Sequence, residues 1–293
     1  MPHRVVKVRV MHSERGADDR LDYDAVRTYW EEAADEADSA SYMAHDQGLP
    51  ADCIEHRFAL EQAVIDRWFS ALGPGDAVLD IGCGAGAWTA LFAQQYARVV
   101  GVDASAGMLA AAQRRLAGHD NVELVHGDAL SAPLKGEFDG VLLGGLLMYL
   151  DRADAQALLK RLSQLAPNGR IILRESGVRS GVEIRTGEYQ VVYRSVEEYR
   201  AIADDAGLRV VSVERNKGYA HMEIALTLTE LLRRLPPLAR REASATGGPL
   251  WRFLRATGPV SLELLPRTME VVGIRWPRLM NNFVLLEPRA GNL

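Results

Sequence analysis

The stretch VLDIGCGAGAW, from Val78 to Trp88, could bind a nucleotide-like ligand. Its apolar start is typical of a buried strand, and Gly82, Gly84 and Gly86 follow at alternate positions. Glycines let the chain turn tightly and let a ligand touch the backbone, while the start of a following helix offers unpaired N–H groups. A glycine pattern alone is weak evidence for any one ligand. The stretch therefore predicts the floor of a nucleotide-type site and leaves the ligand open.

Three acidic residues narrow the choice of ligand. Asp80 precedes the first glycine by two residues, where it suits an ammonium group and repels a pyrophosphate. Asp103 ends the next predicted strand, where a carboxylate can accept both ribose hydroxyls. Asp128 ends the third strand pattern, where it can accept the amino group of an adenine. Ligands of open parallel sheets bind outside the carboxyl ends of the strands, so these residues predict one shared site.

The elements that would hold these residues alternate regularly along the chain. Helical patterns separate five short β-rich runs, which cover 77–81, 98–103, 122–128, 138–145 and 169–175. Such alternation is typical of an α/β fold with a doubly wound parallel sheet. A helix over 195–208 and strands at 209–216 and 281–288 continue the pattern.

We predict four segments along the chain. Residues 1–72 form an N-terminal extension with a helical lid, and 73–217 form the cofactor-binding core. Residues 218–279 form a helical insertion that caps the site or builds a subunit interface. Residues 280–293 supply the final strand. The lid contains a loop over 39–53, with Tyr42 and Met43, because Gly48 and Pro50 interrupt any helical period there.

Four motifs carry a resemblance to a known family. VLDIGCGAGAW, VVGVDASAGML, VELVHGDAL and FDGVLLGGLLMYL, in this order, resemble the successive motifs of class I S-adenosylmethionine-dependent methyltransferases. The resemblance covers 77–175 closely and 21–215 more loosely. It implies a seven-stranded Rossmann-like sheet with an antiparallel last strand, and S-adenosyl-L-methionine as cofactor. The cofactor-binding residues predicted in the core are Asp80, Gly82, Cys83, Gly84, Asp103, Ala104, Met108, Asp128, Ala129, Gly144 and Gly145.

Two residues before the sheet are further candidates for cofactor contact. Trp30 lies in the predicted lid, where a ring can attract a sulfonium through cation–π interaction, although rings in an amphipathic helix also serve as core. Arg57 opens the second helix and can pair with the cofactor's carboxylate or face solvent.

The candidates for acceptor chemistry are Tyr149, Glu175, Tyr189, Tyr193, Arg194 and His221. Tyr149 ends the fourth motif, and Glu175 emerges at the carboxyl end of the fifth strand pattern. Glu175 suits proton acceptance or amine binding, or else an ion pair with Arg174 or Arg179. His221 has the chemistry of a general base near neutral pH, although a lone histidine is more often structural.

Composition limits the function classes. The net charge of −5 gives no reason to expect nucleic acid as the main partner, although 233–278 is rich in arginine. Two cysteines without metal-ligand spacing indicate a reducing compartment and no metal site. The N-terminus has no apolar core typical of an export signal, and the ten-residue apolar run at 141–150 is too short to span a bilayer. We therefore expect a cytoplasmic protein without membrane partners.

We expect a methyltransferase that modifies N, O or C of a small molecule, a specialised metabolite or an amino-acid derivative. One alternative is non-methyl chemistry, with a cyclase or lyase acting on S-adenosylmethionine itself. A second is an RNA-binding methyltransferase that uses the arginine-rich insertion. A nicotinamide dehydrogenase would leave Asp80 and Asp128 without a role. Dimerisation through the insertion is also expected.

Overall fold

The computed structural model describes residues 8–9, 19–34, 52–187, 189–234, 243–271 and 279–289. The chain divides into two compact units. The core unit contains the described residues of 1–38, 68–214 and 282–293, and the helical unit those of 39–67 and 215–281. Residues 39–51 of the predicted lid loop, with Tyr42 and Met43, lie outside the described residues. The last two residues of that prediction, Asp52 and Cys53, begin a helix and are not part of a loop.

The core unit is built on a seven-stranded mixed sheet in the order β4-β3-β2-β5-β6-β10-β9. Its strands are β2 (Ala77–Ile81), β3 (Arg98–Asp103), β4 (Val122–His126), β5 (Gly140–Leu143), β6 (Arg170–Gly177), β9 (Leu208–Arg215) and β10 (Met280–Pro288). The pairings from β4 through to β6 are parallel. The Asn216 amide donates to the Asn281 carbonyl, and the Arg289 amide donates to the Gly207 carbonyl, so β10 runs antiparallel to β9. The seven-stranded Rossmann-like sheet expected from the sequence is confirmed.

The burial of the central strands and the side-chain caps at the helix N-termini explain why this sequence forms the sheet. All four residues of β5 are buried, as expected for a parallel strand covered on both faces. The helices of the core unit are α1 (Tyr23–Ala33), α3 (Ala87–Ala93), α4 (Ala106–Arg115), α5 (Arg152–Leu165) and α6 (Val196–Asp205). Side chains of Asp22, Ser105, Asp151 and Ser195 accept backbone N–H groups at the starts of α1, α4, α5 and α6. The Ser105 and Asp151 caps fix where the loops after β3 and β5 end.

A second, three-stranded sheet was not expected from the sequence. It has the order β1-β7-β8, with β1 (Val8–Arg9), β7 (Val182–Arg185) and β8 (Val191–Arg194) in antiparallel pairing. The last two strands form a short excursion of the chain between β6 and α6. Four-residue strands give too little periodicity to be recognised against a background of turns.

The helical unit contains α2 (Asp52–Trp68), α7 (Lys217–Arg233), α8 (Ala243–Ala256) and α9 (Gly258–Val271). Its core joins Cys53 of α2 to residues of α7 and α8, among them Met222 and Trp251. Therefore α2, which the sequence pattern assigns to the N-terminal segment 1–72, packs with helices of the insertion. Buried polar groups also pair within this unit, where the Asn216 side-chain amide donates to Glu61 and to Asn281. No helix in the described parts of the chain is long and apolar enough to cross a membrane.

Candidate cofactor site

A cleft opens in the core unit outside the carboxyl ends of β2, β3, β4 and β5, where ligands of such sheets bind. It is lined by Gly82 and Gly84 after β2, Asp103 and Ala104 after β3, Asp128 and Ala129 after β4, and Gly144, Gly145 and Leu146 after β5. The structure therefore brings the four strand-end motifs to one surface.

The glycine loop presents bare backbone to this cleft. Gly82 and Gly84 have φ angles of +72° and +52°, in the left-handed region that disfavours side chains. A Cβ atom built on Gly84 would meet no protein atom within 4 Å, so the space above it is open. The Gly82 amide donates to the Val102 carbonyl at 2.8 Å, which fastens the loop to β3. A ligand can therefore approach the backbone of a loop that is itself held in place.

Asp103 links the glycine loop to the end of β3. Its Oδ2 accepts the Gly84 amide at 2.8 Å, and its Oδ1 accepts the Ser105 amide at 2.9 Å. Burial raises the pKa of Asp103, and these two N–H groups work against that rise. Each carboxylate oxygen has a second acceptor position. The side chain can therefore hold the loop and still accept hydroxyl groups from a ligand.

The opposite wall of the cleft follows β4. The Asp128 Oδ1 accepts the Leu130 amide at 2.8 Å, which forms a tight turn, and the Ala129 carbonyl accepts from Arg161 at 2.5 Å. Met108 of α4 is buried and also lines the cleft. This wall combines an apolar surface with a carboxylate, which suits a flat ring that carries an amino group.

Asp80 and Cys83 lie beneath the glycine loop. Asp80 is only 1% exposed, and its Oδ2 accepts the Thr89 hydroxyl at 2.7 Å. Burial raises the pKa of Asp80 to about 7. The buried Cys83 thiol would stand 3.1 Å from a Cβ atom on Gly101, so it fills the space between loop and sheet. Cofactor contact by either residue stays a prediction.

One face of α1 closes the cleft. Tyr23, Val26, Arg27 and Trp30 all line it, at helical spacings of three, four and seven residues. Of these four residues, only Trp30 was expected at the cofactor from the sequence. The same spacing in the sequence could have identified the other three residues, since a helix with one lining residue offers its neighbours one turn away.

Both ends of α1 are bonded to the core helices. At its start, the Tyr23 hydroxyl donates to the Asp154 carboxylate at 2.5 Å. At its end, the Glu31 carboxylate accepts the amides of Ala106 and Gly107 at 3.0 and 3.4 Å, at the first turn of α4. A carboxylate is favourable at a helix N-terminus. The lid helix is therefore held over the cleft at two points.

An aromatic wall stands between α1 and the loop after β5. The rings of Trp30 and Tyr149 lie edge to face, with centroids 5.4 Å apart. The Tyr149 and Tyr189 hydroxyls are 3.0 Å apart. Burial raises the pKa of Tyr149 well above its usual value, so the phenol is neutral at physiological pH. A catalytic role for Tyr149 stays a prediction, while its ring is part of the cleft surface.

The remaining predicted residues lie elsewhere. Glu175 of β6 is 2% exposed and accepts the amides of Leu146 and Leu147 from below the cleft surface. Arg57 and His221 belong to the helical unit. There Arg57 approaches Glu61 at 3.5 Å, and His221 is buried with its ring 5.6 Å from that of His56.

Burial and the neighbouring His56 lower the pKa of His221, which favours the neutral imidazole. Cofactor contact by Arg57 and catalysis by His221 stay predictions. Among the described residues, no group of three or more His, Cys, Asp or Glu could hold a metal ion.

The fold and the cleft define a class of protein. A Rossmann-like sheet in this strand order, with a glycine loop and two strand-end aspartates around one cleft, is the architecture of enzymes that bind an adenosine-containing cofactor. Residues 78–169 match the family model of the methyltransferase domain. Residues 78–169 therefore form a methyltransferase domain, which lies within the core unit.

Individual relatives share this domain with different acceptors. Over 124 residues the chain is 36% identical to a demethylmenaquinone methyltransferase of Clavibacter sepedonicus, covering 42% of this chain and 49% of the relative. Over 105 residues it is 42% identical to ribosomal RNA small subunit methyltransferase A of Moorella thermoacetica, covering 35% of each. The chain thus spans half or less of the length of these relatives.

A solved structure is similar in fold. Magnesium protoporphyrin IX methyltransferase from Synechocystis PCC 6803, crystallised with bound S-adenosylmethionine, superposes with a TM-score of 0.50. The two chains are 22% identical, and the match covers 70% of this chain and 93% of that one. At this identity the likeness concerns the fold alone.

Proposed function

We propose that this protein is an S-adenosylmethionine-dependent methyltransferase of a small-molecule acceptor. The observation that carries the proposal is the convergence of Gly84, Asp103, Asp128 and Gly144 on one cleft within a methyltransferase domain. The residues present fit the cofactor. The open space above Gly84 admits a group against the backbone, and the acidic lining complements a cationic ligand.

Each part of the cofactor has a proposed binding surface. Gly82 and Gly84 face its methionine part, and Asp103 accepts the ribose hydroxyls. Ala104 and Met108 flank the adenine. Asp128 and the Ala129 amide bind the adenine edge, and Gly144 and Gly145 lie near the sulfonium. When bound, the cofactor supplies a methyl group that is already activated for transfer.

The rest of the cleft suits an acceptor of modest size. Val26, Trp30, Leu146, Tyr149 and Leu150 make this part apolar and aromatic. The protein's task is to place the acceptor's nucleophilic N, O or C atom in line with the S–CH₃ bond of the cofactor and to exclude water. The glycine loop and the strand-end aspartates would hold the cofactor, which would supply the methyl group for that atom. A specialised metabolite or amino-acid derivative fits such a surface.

Two measurements test this proposal. Calorimetry with S-adenosylmethionine and S-adenosylhomocysteine should show binding in the micromolar range, and no binding at millimolar cofactor would overturn the assignment. Incubation with methyl-labelled cofactor and cell extract should label the small-molecule fraction. Label in RNA would favour the nucleic-acid alternative, and release of methylthioadenosine would favour non-methyl chemistry.

We further propose that the protein is cytoplasmic and self-associates through the helical unit. Cys53 and Cys83 are both free thiols, which suits a reducing compartment. Phe253, Val260 and Leu264 of α8 and α9 are more than half exposed. Sedimentation should show a dimer that Leu264→Glu converts to a monomer; a monomeric wild-type protein would contradict this.

Replacing Trp30 tests the lid. We expect Trp30→Ala to raise the dissociation constant for S-adenosylmethionine about tenfold, since an aromatic ring over a cation contributes on the order of 1 to 2 kcal/mol when desolvated. Trp30→Phe should recover most of the affinity. Calorimetry on both variants measures the difference, and equal affinity in Trp30→Ala and the wild type would remove Trp30 from the site.

A further inference from the structure

The loop after β5, residues 144–150, is held by charged side chains from two other strands. Glu175 of β6 accepts the amides of both Leu146 and Leu147 at 3.0 Å through one oxygen, Oε1. Arg194 of β8 donates to the carbonyls of Leu147 and Leu150, each at 2.9 Å. These two side chains therefore bind the backbone of the loop through both its donors and its acceptors.

Two further contacts complete the frame of side chains that holds this loop. Arg174 donates to the Gly144 carbonyl at 3.0 Å, at the point where the loop leaves β5. The Asp19 carboxylate accepts from Arg194 at 2.6 Å and balances its charge. Gly145, between the bonded positions, has a φ angle of +89°. At Gly145 the loop therefore has a backbone conformation that only glycine adopts easily. Arg174 and Arg194 bind the backbone on either side of it.

Burial makes this arrangement costly. Glu175 and Arg194 are only 2% and 1% exposed, and burial raises the pKa of Glu175 to about 7 although the two loop amides work against that rise. Taking charged groups out of water is expensive, and apolar side chains of similar volume often stabilise a fold as well or better. Buried ionisable side chains that all bind one short loop therefore indicate that the conformation of this loop matters. The loop contributes Gly144, Gly145 and Leu146 to the cleft surface.

We propose that Glu175 and Arg194 are positioning residues for methyl transfer, which hold the loop after β5 in the shape that forms the sulfonium side of the cleft. Glu175 then acts as a hydrogen-bond acceptor for the loop and not as a proton acceptor, which was one of the roles that the sequence left open. This inference rests on the proposed function. We assign this role to Glu175 because it lies beneath Leu146. A general base would have to reach the proton that it removes.

The decisive comparison is between two variants of Glu175. Gln retains an oxygen that can accept both amides but has no charge and no basicity, whereas Ala has no acceptor. We expect Glu175→Gln to bind S-adenosylmethionine within about threefold of the wild type and Glu175→Ala about tenfold more weakly, because two bonds to the loop are lost. Calorimetry well below the melting temperature separates this effect from lost stability.

Hydrogen exchange at the Leu146 and Leu147 amides gives a readout that needs no cofactor. Protection should persist in Glu175→Gln and fall at least tenfold in Glu175→Ala. Glu183→Ala is the matched control, since Glu183 is a buried glutamate of β7 that pairs with Arg185 at 3.0 Å. It should leave loop exchange and cofactor affinity unchanged. Arg194→Lys, which cannot reach both carbonyls at once, should weaken cofactor binding three- to tenfold.

The possible results separate this inference from the proposed function. A wild-type protein that binds no cofactor overturns the proposed function, while amide exchange still reports on the frame. If Glu175→Ala is folded and keeps wild-type exchange and affinity, Glu175 does not position the loop. If Glu175→Gln is as impaired as Glu175→Ala in both measurements, charge is essential and the acceptor role assigned to Glu175 is wrong.

Discussion

Asp103→Ala should lose at least 100-fold in affinity for S-adenosylmethionine. In the proposed complex Asp103 accepts the ribose hydroxyls, and hydrogen bonds to a charged group contribute about 1.5 to 3 kcal/mol each. The substitution also releases the Gly84 amide, which Asp103 binds at 2.8 Å. Losing about 3 kcal/mol corresponds to about 100-fold in the dissociation constant. Calorimetric titration with the cofactor measures it directly.

Two further variants show whether this loss is specific. Asp103→Asn keeps one acceptor oxygen but turns an N–H₂ group toward one of the two amides, so we expect about a tenfold loss. Glu123→Ala, an exposed acid of the neighbouring strand β4, should bind within about twofold of the wild type. If Asp103→Ala melts like the wild type and binds within threefold of it, the ribose is held elsewhere and the proposed orientation of the cofactor is wrong.

The sequence predicts this part of the molecule well because each strand carries its own signal. The structure begins and ends β2 and β3 at the expected residues, 77–81 and 98–103. Both are apolar runs bounded by polar residues or glycine, and a buried parallel strand needs such a run. Once the strands are parallel, their carboxyl ends meet at one edge. Asp103 and Asp128 could therefore be placed together without knowledge of any tertiary contact.

The parts that depend on long-range packing could not be predicted in this way. Nothing in the helical pattern of α2 shows that Cys53 packs with Met222 and Trp251, which lie more than 160 residues further along the chain. The side chains that hold the loop after β5 are also far from it in the sequence. Arg194 reaches Leu147 across 47 residues, and a buried arginine at the end of a four-residue strand has no local signature.

Asp80 shows what an argument from neighbouring residues in the sequence leaves out. Its place beside the glycine loop suggested contact with an ammonium group. However, Leu79, Asp80 and Ile81 are all buried, since β2 is covered on both faces and alternation offers no solvent side. The Thr89 hydroxyl, in the helix after the loop, is the partner of the Asp80 carboxylate. The sequence identifies Asp80 as an acidic residue beside the glycine loop. Only the packing of the folded chain shows that Thr89 is its partner.

The buried Asp80 should make stability depend on pH. Burial raises its pKa from 3.8 to about 7 in the folded protein; the Thr89 hydroxyl opposes this rise and the charge of Asp103 adds to it. Between these two values the folded state keeps a proton that the unfolded state has lost. The contribution of this group is therefore fully present below about pH 4 and is lost as pH rises through about 7. Asp80→Asn, which is always neutral, should not show that loss.

The measurement is the free energy of unfolding of wild type and Asp80→Asn in urea at pH 5.5 and pH 8. The difference, variant minus wild type, should rise by about 2 kcal/mol between the two pH values, because a tenfold change in proton concentration is worth about 1.4 kcal/mol. Taking the difference cancels any constant effect of the new amide on Thr89. Asp120→Asn, at an exposed position before β4, should show no such rise. A flat or falling difference for Asp80→Asn would mean that Asp80 stays ionised in the fold, so that a cation of the protein or of its ligand would have to balance it.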